Sequence, residues 1–573
     1  MSNDTTTQSA DTKSTSPHLS WQGLELHFDN LLAVFLLMLM TPSILSLALI
    51  WLLAGTLHRG RASVSTRAES VASTVKSEAE KFNTQVLYHS LKSLNRLSGV
   101  VHKNGIRGGS ATVHFPIWHQ EIEDIIVLKN NKGTEDNRVR KLDYSIQISK
   151  LFYERFIQNG EISLFSPHDV PGLFDAFGTD RFDDLYTSYE SDGSIPRKTV
   201  GAQALILDLL KERAETGRVY IMNIDHCNSH SSFKDKVYMS NLCQEITLPT
   251  YPLQHIDDDF AEIALCILSA INVGKVKNDK ELEDLCDLSV RSLDELIDYQ
   301  DYPVEAARVA TKARRSLGIG FIGLAHYLAK LGFSYGSQEA WDAVHGLSES
   351  FQFYLLKASN QLAKEKGHCE YFGRTKYAEG ILPIDTYKKD VDELITVGLE
   401  HDWEGLRASI LESGLRHSTL SAQMPSESSS VVSNATNGIE PPRDYLSVKK
   451  SKKGPLKQVV PQYQSLKNNY TLLWDMPDNT GYINVVAVMQ KFFDQAISGN
   501  WSYNPTNYPD NEVPVSVMAN DFLSTYKYGW KTSYYQNTYD NKNDEVEEKP
   551  TLDSFLEQYQ NSQEEGECES CAV

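Results

Sequence analysis

The chain has 573 residues, 41% of them hydrophobic and 23% charged, which is the composition of a globular protein with one large domain or two to three average ones. Its formal net charge of -21 argues against sequence-independent binding to DNA or RNA, because that binding needs clustered lysine and arginine. Seven cysteines in so long a chain are too few for a secreted disulfide framework and suit a reducing compartment.

The first part of the chain combines a polar segment with an apolar one. Residues 1–28 are rich in serine and threonine, and we predict that they are disordered. The next segment, 29–57, has no charged residue after Asp29 and is long enough to cross a bilayer. Arg59 and Arg61 follow it, so the positive-inside tendency would leave the C-terminal bulk in the cytoplasm. Residues 31–57 therefore predict either a membrane span or an apolar helix buried against a partner protein.

A polar segment, 58–98, reads as a helical linker, and from 99 to 540 the pattern is that of a compact α/β domain. Apolar residues recur with helical spacing in 281–299, and a long helix is predicted to end at Gly367. Short β-branched or aromatic runs at 219–222 and 470–474 predict strands.

Two further patterns resemble binding motifs but are better explained structurally. Gly318, Gly320 and Gly323 have the spacing of a dinucleotide fingerprint, which requires a strand before it. The preceding residues read as a helix, so we expect these glycines to allow close helix packing. His226 and His230 resemble half a metal site without a second pair nearby, and we expect structural polar contacts there.

The pattern richest in chemistry lies at 240–245, where an amide, a thiol and a carboxylate stand at alternate positions. On an extended segment Asn241, Cys243 and Glu245 would point to one side and could together hold a polar substrate, supply a sulfur reagent and move a proton. Alone the pattern is weak, since any loop can carry these residue types. Cys266 follows in an apolar run, where a buried cysteine without chemistry is the simpler interpretation.

Three motifs lie nearer the C-terminus. Residues 425–430 are rich in serine and offer hydroxyl and backbone N–H groups that suit an anion, although a serine-rich surface turn has the same composition. Tyr534 and Tyr535 are adjacent in a chain that is rich in tyrosine. The acidic tail, 541–573, carries Cys568 and Cys571, a spacing typical of a redox dithiol or half a zinc site.

In this order and spacing, the motifs closely resemble the catalytic large subunit of class I ribonucleotide reductase. The resemblance runs from about residue 105 to the C-terminus and does not include the first hundred residues. It implies the C-terminal part of that family's ten-stranded α/β barrel, with Cys243 at the tip of a central loop and a non-family N-terminal extension.

The resemblance implies a role for each residue of the central group. Cys243 would form the transient thiyl radical that removes the 3′ hydrogen of a ribonucleotide. Glu245 would act as general base on the 3′-hydroxyl, and Asn241 would hold the substrate and polarise the intermediate. Cys266 would be one of two thiols that supply the reducing electrons and end as a disulfide.

It also implies an electron relay and a reducing tail. Tyr534 and Tyr535 would pass the radical from a metal-containing small subunit to Cys243, so that this chain binds neither cofactor nor metal itself. Cys568 and Cys571 would reduce the active-site disulfide by thiol exchange and would in turn be reduced by thioredoxin or glutaredoxin.

The remaining implications concern nucleotides. The diphosphate of a ribonucleoside diphosphate would bind to a loop in which a serine stands where the family has a threonine, a change that keeps the hydroxyl. Another loop would couple a nucleotide effector site to the substrate, and its glycine pair suits a segment that changes shape. The residues concerned are Pro425, Ser426, Glu427, Ser428 and Ser429 for the first loop, and Arg107, Gly108 and Gly109 for the second.

The family's N-terminal part has no counterpart in this sequence, and no cysteine occurs before Cys227 that could pair with Cys266. We therefore expect a separate chain to supply that part of a cytoplasmic enzyme, which residues 31–57 could anchor to a membrane. The alternative is an inactive, membrane-tethered homologue that binds nucleotide or the small subunit. Retention of the cysteines, the acid and both tyrosines favours the enzyme.

Overall fold

The structure is a computed structural model that describes residues 91–92, 102–103, 107–108, 110–134, 138–252, 260–302, 304–451 and 454–540. The predictions made for 1–28, for the apolar segment 29–57 and for the tail 541–573 lie outside the described residues. So does almost all of the linker 58–98, in which Leu91 and Lys92 are helical. A search of the described ranges finds no helix both long and apolar enough to span a bilayer.

Helices account for more of the described residues than strands do, and they range from single turns to eight turns. The α-helices are α1 Ile122–Ile126, α2 Lys150–Ile157, α3 Leu173–Ala176, α4 Phe182–Ser191, α5 Ala202–Thr216, α6 Ile224–Ser229, α7 Asp279–Tyr299, α8 Glu305–Arg314, α9 Leu324–Leu331, α10 Gln338–Lys366, α11 Pro383–Thr386, α12 Trp403–Ser413, α13 Glu427–Val432, α14 Tyr463–Leu466, α15 Thr480–Gln490 and α16 Val515–Lys527. Short 3-10 helices lie at Phe372–Arg374, Lys376–Glu379, Lys389–Leu394, Leu473–Asp475, Pro505–Asn507 and Pro509–Asn511.

The strands are short, as is typical of a barrel whose strands alternate with helices. They are β1 His102–Lys103, β2 Arg107–Gly108, β3 Thr112–Pro116, β4 Asp143–Ile148, β5 Glu161–Leu164, β6 Lys198–Gly201, β7 Val219–Asn223, β8 Leu268–Asn272, β9 Gly318–Ile322, β10 Leu446–Ser451, β11 Gly454–Val459, β12 Gly499–Tyr503 and β13 Thr532–Thr538.

The central sheet has the order β12-β13-β7-β4-β3. Strands β3, β4 and β7 are parallel to one another, β12 is parallel to β13, and the two groups meet where β13 pairs antiparallel with β7. Side chains of β4 and β7 are buried along their whole length, as expected of strands covered on both faces.

Single bridges extend this sheet into a curved wall. Ile319 of β9 bridges Ser421, and Gln423 bridges Ile497, which lies two residues before the start of β12. Since β8 pairs in parallel with β9, a continuous run of strand segments leads from β8 to β3. The predicted α/β barrel is therefore confirmed, and the structure shows that its wall consists of two oppositely directed groups of strands.

Two predicted helices are confirmed. The segment 281–299 lies in α7, and the long helix α10 ends with Gly367 as its C-terminal cap. The predicted strand at 219–222 is β7. The strand predicted at 470–474 is wrong, because Leu473–Asp475 is a 3-10 helix outside the barrel wall.

The expectation of helix packing around Gly318 and Gly320 is also wrong, because both residues lie in strand β9. A Cβ atom on Gly318 would come within 2.7 Å of the Leu268 side chain, and one on Gly320 within 2.6 Å of the Ala422 carbonyl oxygen. The glycines thus allow β9 to pack closely between β8 and the segment that carries Ala422. The periodicity of the neighbouring helix α8 concealed this short buried strand.

Candidate active site

The segment 240–246 forms a tight turn inside the barrel rather than the extended stretch that we predicted. The backbone N–H of Gln244 donates to the carbonyl of Asn241 over 3.3 Å, and Gln244 has a φ of 72°. The left-handed conformation breaks the alternation on which the prediction rested. We expected Asn241, Cys243 and Glu245 to point to one side because alternate residues of an extended segment do so. That reason is wrong, because the segment is a turn.

Both groups of barrel strands hold this turn. Thr112 of β3 donates to the Leu242 carbonyl over 3.0 Å, and Ser145 of β4 donates to the Gln244 side-chain oxygen over 2.9 Å. From the other group, Thr532 of β13 donates to the Gln244 carbonyl over 2.9 Å. Because these contacts come from strands far apart in sequence, completing the wall fixes the turn in the barrel interior.

Asn241 brings Cys266 to the turn. Its side-chain nitrogen donates to Cys266 Sγ over 3.6 Å, and its side-chain oxygen accepts from the Ile246 backbone N–H over 3.0 Å. Burial, with nearby Glu245 and Cys243, raises the pKa of the Cys266 thiol well above its usual value. At neutral pH Cys266 is therefore a thiol that can give a hydrogen atom, and not a reactive thiolate.

Glu245 is only 2% exposed, and burial raises the pKa of its carboxyl to about 7. Hydrogen bonds from Asn241 and Ser498 act in the opposite direction and favour the ionised form. A carboxyl whose pKa lies near neutral pH can both take and return a proton, which suits a general base.

The loop 493–498 closes the site on the side of Glu245. Ser498 Oγ lies 2.5 Å from the Cys243 carbonyl oxygen and 3.1 Å from Glu245 Oε2, and the Ala496 backbone N–H donates to the Glu245 carbonyl over 2.9 Å. The loop is fixed in turn by the buried Lys531, whose Nζ donates to three of its carbonyl oxygens. The acceptors are those of Phe493, Asp494 and Gln495, at 3.3, 2.9 and 3.0 Å.

Tyr534 and Tyr535 lie on β13 just beyond Thr532, and their rings stack. The ring centroids are 3.8 Å apart with an interplanar angle of 24°, and Tyr534 is 4% exposed. Burial raises the pKa of Tyr534 far above its usual value, and the nearby Cys243 adds to this rise. The pair therefore leads from a half-buried phenol, Tyr535, inward toward the cysteine of the turn.

Three residues on neighbouring elements complete the tyrosine cluster. The Tyr220 ring lies 4.8 Å from that of Tyr534, and the Arg218 guanidinium lies 4.2 Å from the centroid of the Tyr535 ring. Arg213 is fully buried and donates to the backbone carbonyls of Tyr534 and Tyr535 over 2.7 and 3.2 Å. These contacts fix both phenol rings relative to the wall.

The serine-rich loop leads into helix α13 and leaves the barrel wall next to the site. Pro425 follows two residues after Gln423, whose carbonyl accepts from the Ser498 backbone N–H over 3.0 Å. Ser426 and Ser429 are buried, and their hydroxyls donate to backbone carbonyls of the loop itself. Ser428, like its neighbour Glu427, is exposed, so its hydroxyl faces solvent.

Of the effector-coupling loop predicted at 107–109, the structure describes the first two residues. Arg107 and Gly108 form a short antiparallel ladder with His102 and Lys103. Gly109, Cys568 and Cys571 lie outside the described residues.

The other described cysteines lie apart from the turn. Cys227 is buried beside the Lys531 carbonyl, Cys286 is buried beside the Phe351 carbonyl, and Cys369 is also buried. Cys266, in contrast, accepts a hydrogen bond from the Asn241 side chain.

No sequence pattern pointed to Ser498, Lys531 or Thr532, because serine, lysine and threonine fit any loop or strand. Arg213, Arg218 and Tyr220 were also missed. The alternation of Arg218 and Tyr220 at the start of a predicted strand could have suggested that both point to the same side.

Comparisons with known proteins extend these observations. A family model described as ribonucleotide reductase, barrel domain, matches residues 67–536. A ribonucleoside-diphosphate reductase subunit alpha of Haemophilus influenzae is 58% identical over 451 residues, 78% of this chain and 60% of that protein. The ribonucleoside-diphosphate reductase 1 subunit alpha of Escherichia coli K12 is 54% identical over 77% of this chain and 59% of its own length. The corresponding subunit of phage T4 is 44% identical over 76% and 59%. The chain thus spans about 60% of the length of these curated relatives.

Proposed function

Because the chain belongs to the family of ribonucleotide reductase large subunits, we propose that it carries the catalytic centre of a class I ribonucleoside-diphosphate reductase. The reaction converts a ribonucleoside diphosphate and a dithiol to a 2′-deoxyribonucleoside diphosphate, a disulfide and water. The observation that carries the proposal is the turn in which Asn241, Cys243 and Glu245 meet Cys266 beside the stacked tyrosines.

Cys243 takes the 3′ hydrogen atom as a thiyl radical and returns a hydrogen atom at the end of the cycle. Glu245 accepts the 3′-hydroxyl proton, and the rise of its pKa to about 7 suits a group that must also release that proton. The 2′-hydroxyl leaves as water after protonation, and two thiols supply the two electrons. The unionised state of Cys266 supports its role as one of them, since a thiol can donate both proton and electron.

Tyr534 and Tyr535 pass the radical between a small subunit and Cys243. The stacking of their rings supports stepwise electron transfer, because the two phenols are in van der Waals contact. The half-buried Tyr535, with Arg218 over its ring, is the end that would face the small subunit.

The reaction needs a second reducing thiol beside Cys266, and this requirement supports the participation of a further polypeptide. Among the described cysteines, those other than Cys243 and Cys266 are buried at other places in the barrel. We propose that a separate chain supplies this thiol and the effector-binding part of the large subunit. Arg107 and Gly108, with Gly109, would couple that effector site to the substrate.

The diphosphate of the substrate would bind at the loop formed by Pro425, Ser426, Glu427, Ser428 and Ser429. The exposed hydroxyl of Ser428 supports this assignment, while the hydroxyls of Ser426 and Ser429 stabilise the loop through its own carbonyls. Cys568 and Cys571 would renew the active-site dithiol, with thioredoxin or glutaredoxin as the outside reductant.

A reconstitution experiment tests the proposal. The chain is purified with and without a candidate N-terminal chain and a radical-containing small subunit, and deoxycytidine diphosphate formation from cytidine diphosphate is measured by chromatography. We expect product only when all three polypeptides and a dithiol are present. Product from this chain and the small subunit alone would refute the separate-chain proposal, while no product from the full mixture would refute the assignment of activity.

A further inference from the structure

We propose that Ser498 is a positioning residue of this site, whose single hydroxyl hydrogen alternates between the Cys243 carbonyl and the Glu245 carboxylate. The proposal rests on the function proposed above for Cys243 and Glu245. Neither the family resemblance nor the sequence pattern assigned a role to Ser498.

The geometry gives the hydroxyl two acceptors. Ser498 Oγ lies 2.5 Å from the Cys243 carbonyl oxygen and 3.1 Å from Glu245 Oε2. A serine hydroxyl has one hydrogen, so it can donate to only one of these oxygens at a time. With Ser498 only 8% exposed, water competes little for either position.

Each protonation state of Glu245 selects one position of that hydrogen. When the carboxyl is ionised it is an acceptor only, and the hydroxyl stabilises it by donating to Oε2. When the carboxyl is protonated, its own O–H can donate to Ser498 Oγ, and the hydroxyl then donates to the Cys243 carbonyl. The serine changes its acceptor by rotation of the hydroxyl and keeps its own hydrogen, while the added proton on the carboxyl comes from the substrate 3′-hydroxyl.

The surrounding structure keeps Oγ at this position. The backbone N–H of Ser498 donates to the Gln423 carbonyl over 3.0 Å, and Lys531 Nζ holds the preceding loop through three carbonyls. The next residue is Gly499, where a Cβ atom would collide with the Trp530 ring. The serine therefore cannot follow Glu245 if that side chain moves away.

Ser498 thereby links the protonation state of Glu245 to the hydrogen bonding of the Cys243 carbonyl. When Glu245 gains a proton from substrate, the Cys243 carbonyl gains a hydrogen bond, and when Glu245 returns the proton that bond is released. The titratable group that interacts with Glu245 is the thiol of Cys266 on the adjacent segment, and the thiol of Cys243 on the same turn also interacts with Cys266. Asn241 is the other side-chain donor to the carboxylate.

The test measures the titration of Glu245 without requiring turnover, so it can fail independently of the proposed function. Infrared difference spectra of the full chain are recorded against pH, and the Glu245 carboxyl band is identified by its loss in Glu245→Gln. We expect Ser498→Ala to raise the titration midpoint by about one pH unit, because the ionised form loses a hydrogen-bond donor. Ser498→Thr should restore the wild-type midpoint.

Ser502→Ala is the matched control, since this serine lies on β12 and its Oγ accepts from Asn537 instead of facing the site. Its midpoint should equal that of the wild type. If Ser498→Ala does not fold, Ser498→Cys takes its place, and its weak S–H donor should give an intermediate midpoint. An unchanged midpoint in the folded Ser498→Ala or Ser498→Cys variant would overturn the proposal. So would a rise in Ser498→Thr or Ser502→Ala that equals the rise in Ser498→Ala.

Discussion

The side-chain amide of Asn241 donates a hydrogen bond to Cys266 Sγ over 3.6 Å, which places a partly buried thiol directly at the turn 240–246. The contact joins the proposed substrate-holding residue to the proposed reductant. It also leaves Cys266 in an environment that disfavours the thiolate.

The reactivity of Cys266 follows from this environment. Since burial and the nearby Glu245 raise its pKa, we expect alkylation by iodoacetamide at pH 7 to be at least about a hundredfold slower in the folded chain than in the urea-unfolded chain. Peptide mass spectrometry after timed labelling measures both rates. Equal rates in the two states would show that Cys266 is not held in the barrel as described.

Glu245→Gln should reduce turnover of the reconstituted enzyme by about a hundredfold or more, because a glutamine cannot accept the 3′-hydroxyl proton. The wild-type rate should fall as the pH drops through about 7, where Glu245 becomes protonated, and this limb should be absent from the variant. A pH–rate profile measures both effects. A variant that keeps the wild-type rate and the same acid limb would exclude Glu245 as the base.

The raised pKa of Glu245 predicts that the difference in unfolding free energy between wild type and Glu245→Gln depends on pH. The pKa of Glu245 is raised from 4.5 to about 7 on folding, so the folded chain holds a proton that the unfolded chain loses between these values. The contribution of Glu245 to stability is therefore present at low pH and is lost as the pH rises to about 7. Relative to wild type, Glu245→Gln should gain up to about 3 kcal/mol between pH 4.5 and pH 7.5, measured by urea unfolding. A stability difference that does not change with pH would contradict the burial of an ionisable carboxyl.

Tyr534→Phe and Tyr535→Phe should each abolish turnover and leave nucleotide binding intact, because phenylalanine keeps the ring but cannot form a phenoxyl radical. Calorimetry of nucleotide binding and the reductase assay separate the two effects. Tyr445→Phe is a suitable control, since that phenol donates to the Lys467 carbonyl near the surface. Normal turnover in both stacked-pair variants would favour a reductase class without this relay.

Replacing Cys568 and Cys571 with serine should stop multiple turnover when thioredoxin is the reductant. Dithiothreitol, which is small enough to reach the barrel, should partly restore the rate. The two reductants are compared in the same product assay. Thioredoxin-driven turnover at the wild-type rate would show that the tail does not carry electrons.

The family resemblance predicted the α/β barrel, and residue periodicity predicted helices α7 and α10 and strand β7. The roles of the central group stay predictions, although the structure brings Asn241 and Cys266 into contact. The sequence did not predict the turn at Gln244, since a left-handed glutamine gives no sequence signal. It could not place Ser498 or Lys531 at the site, because long-range closure of the wall brings them there. The strand at Gly318 was missed because a buried strand of five residues is hard to distinguish from helix packing.

The central claim is that Cys243 is the residue that starts ribonucleotide reduction. It is tested most directly by comparing the wild type with Cys243→Ser, produced free of native enzyme and combined with the same partner chains and dithiol. Deoxycytidine diphosphate formation is measured, and circular dichroism checks that both chains fold. We expect product from the wild type and none above background from the variant, since a serine hydroxyl does not form the required radical. Wild-type rates in the variant would contradict the account.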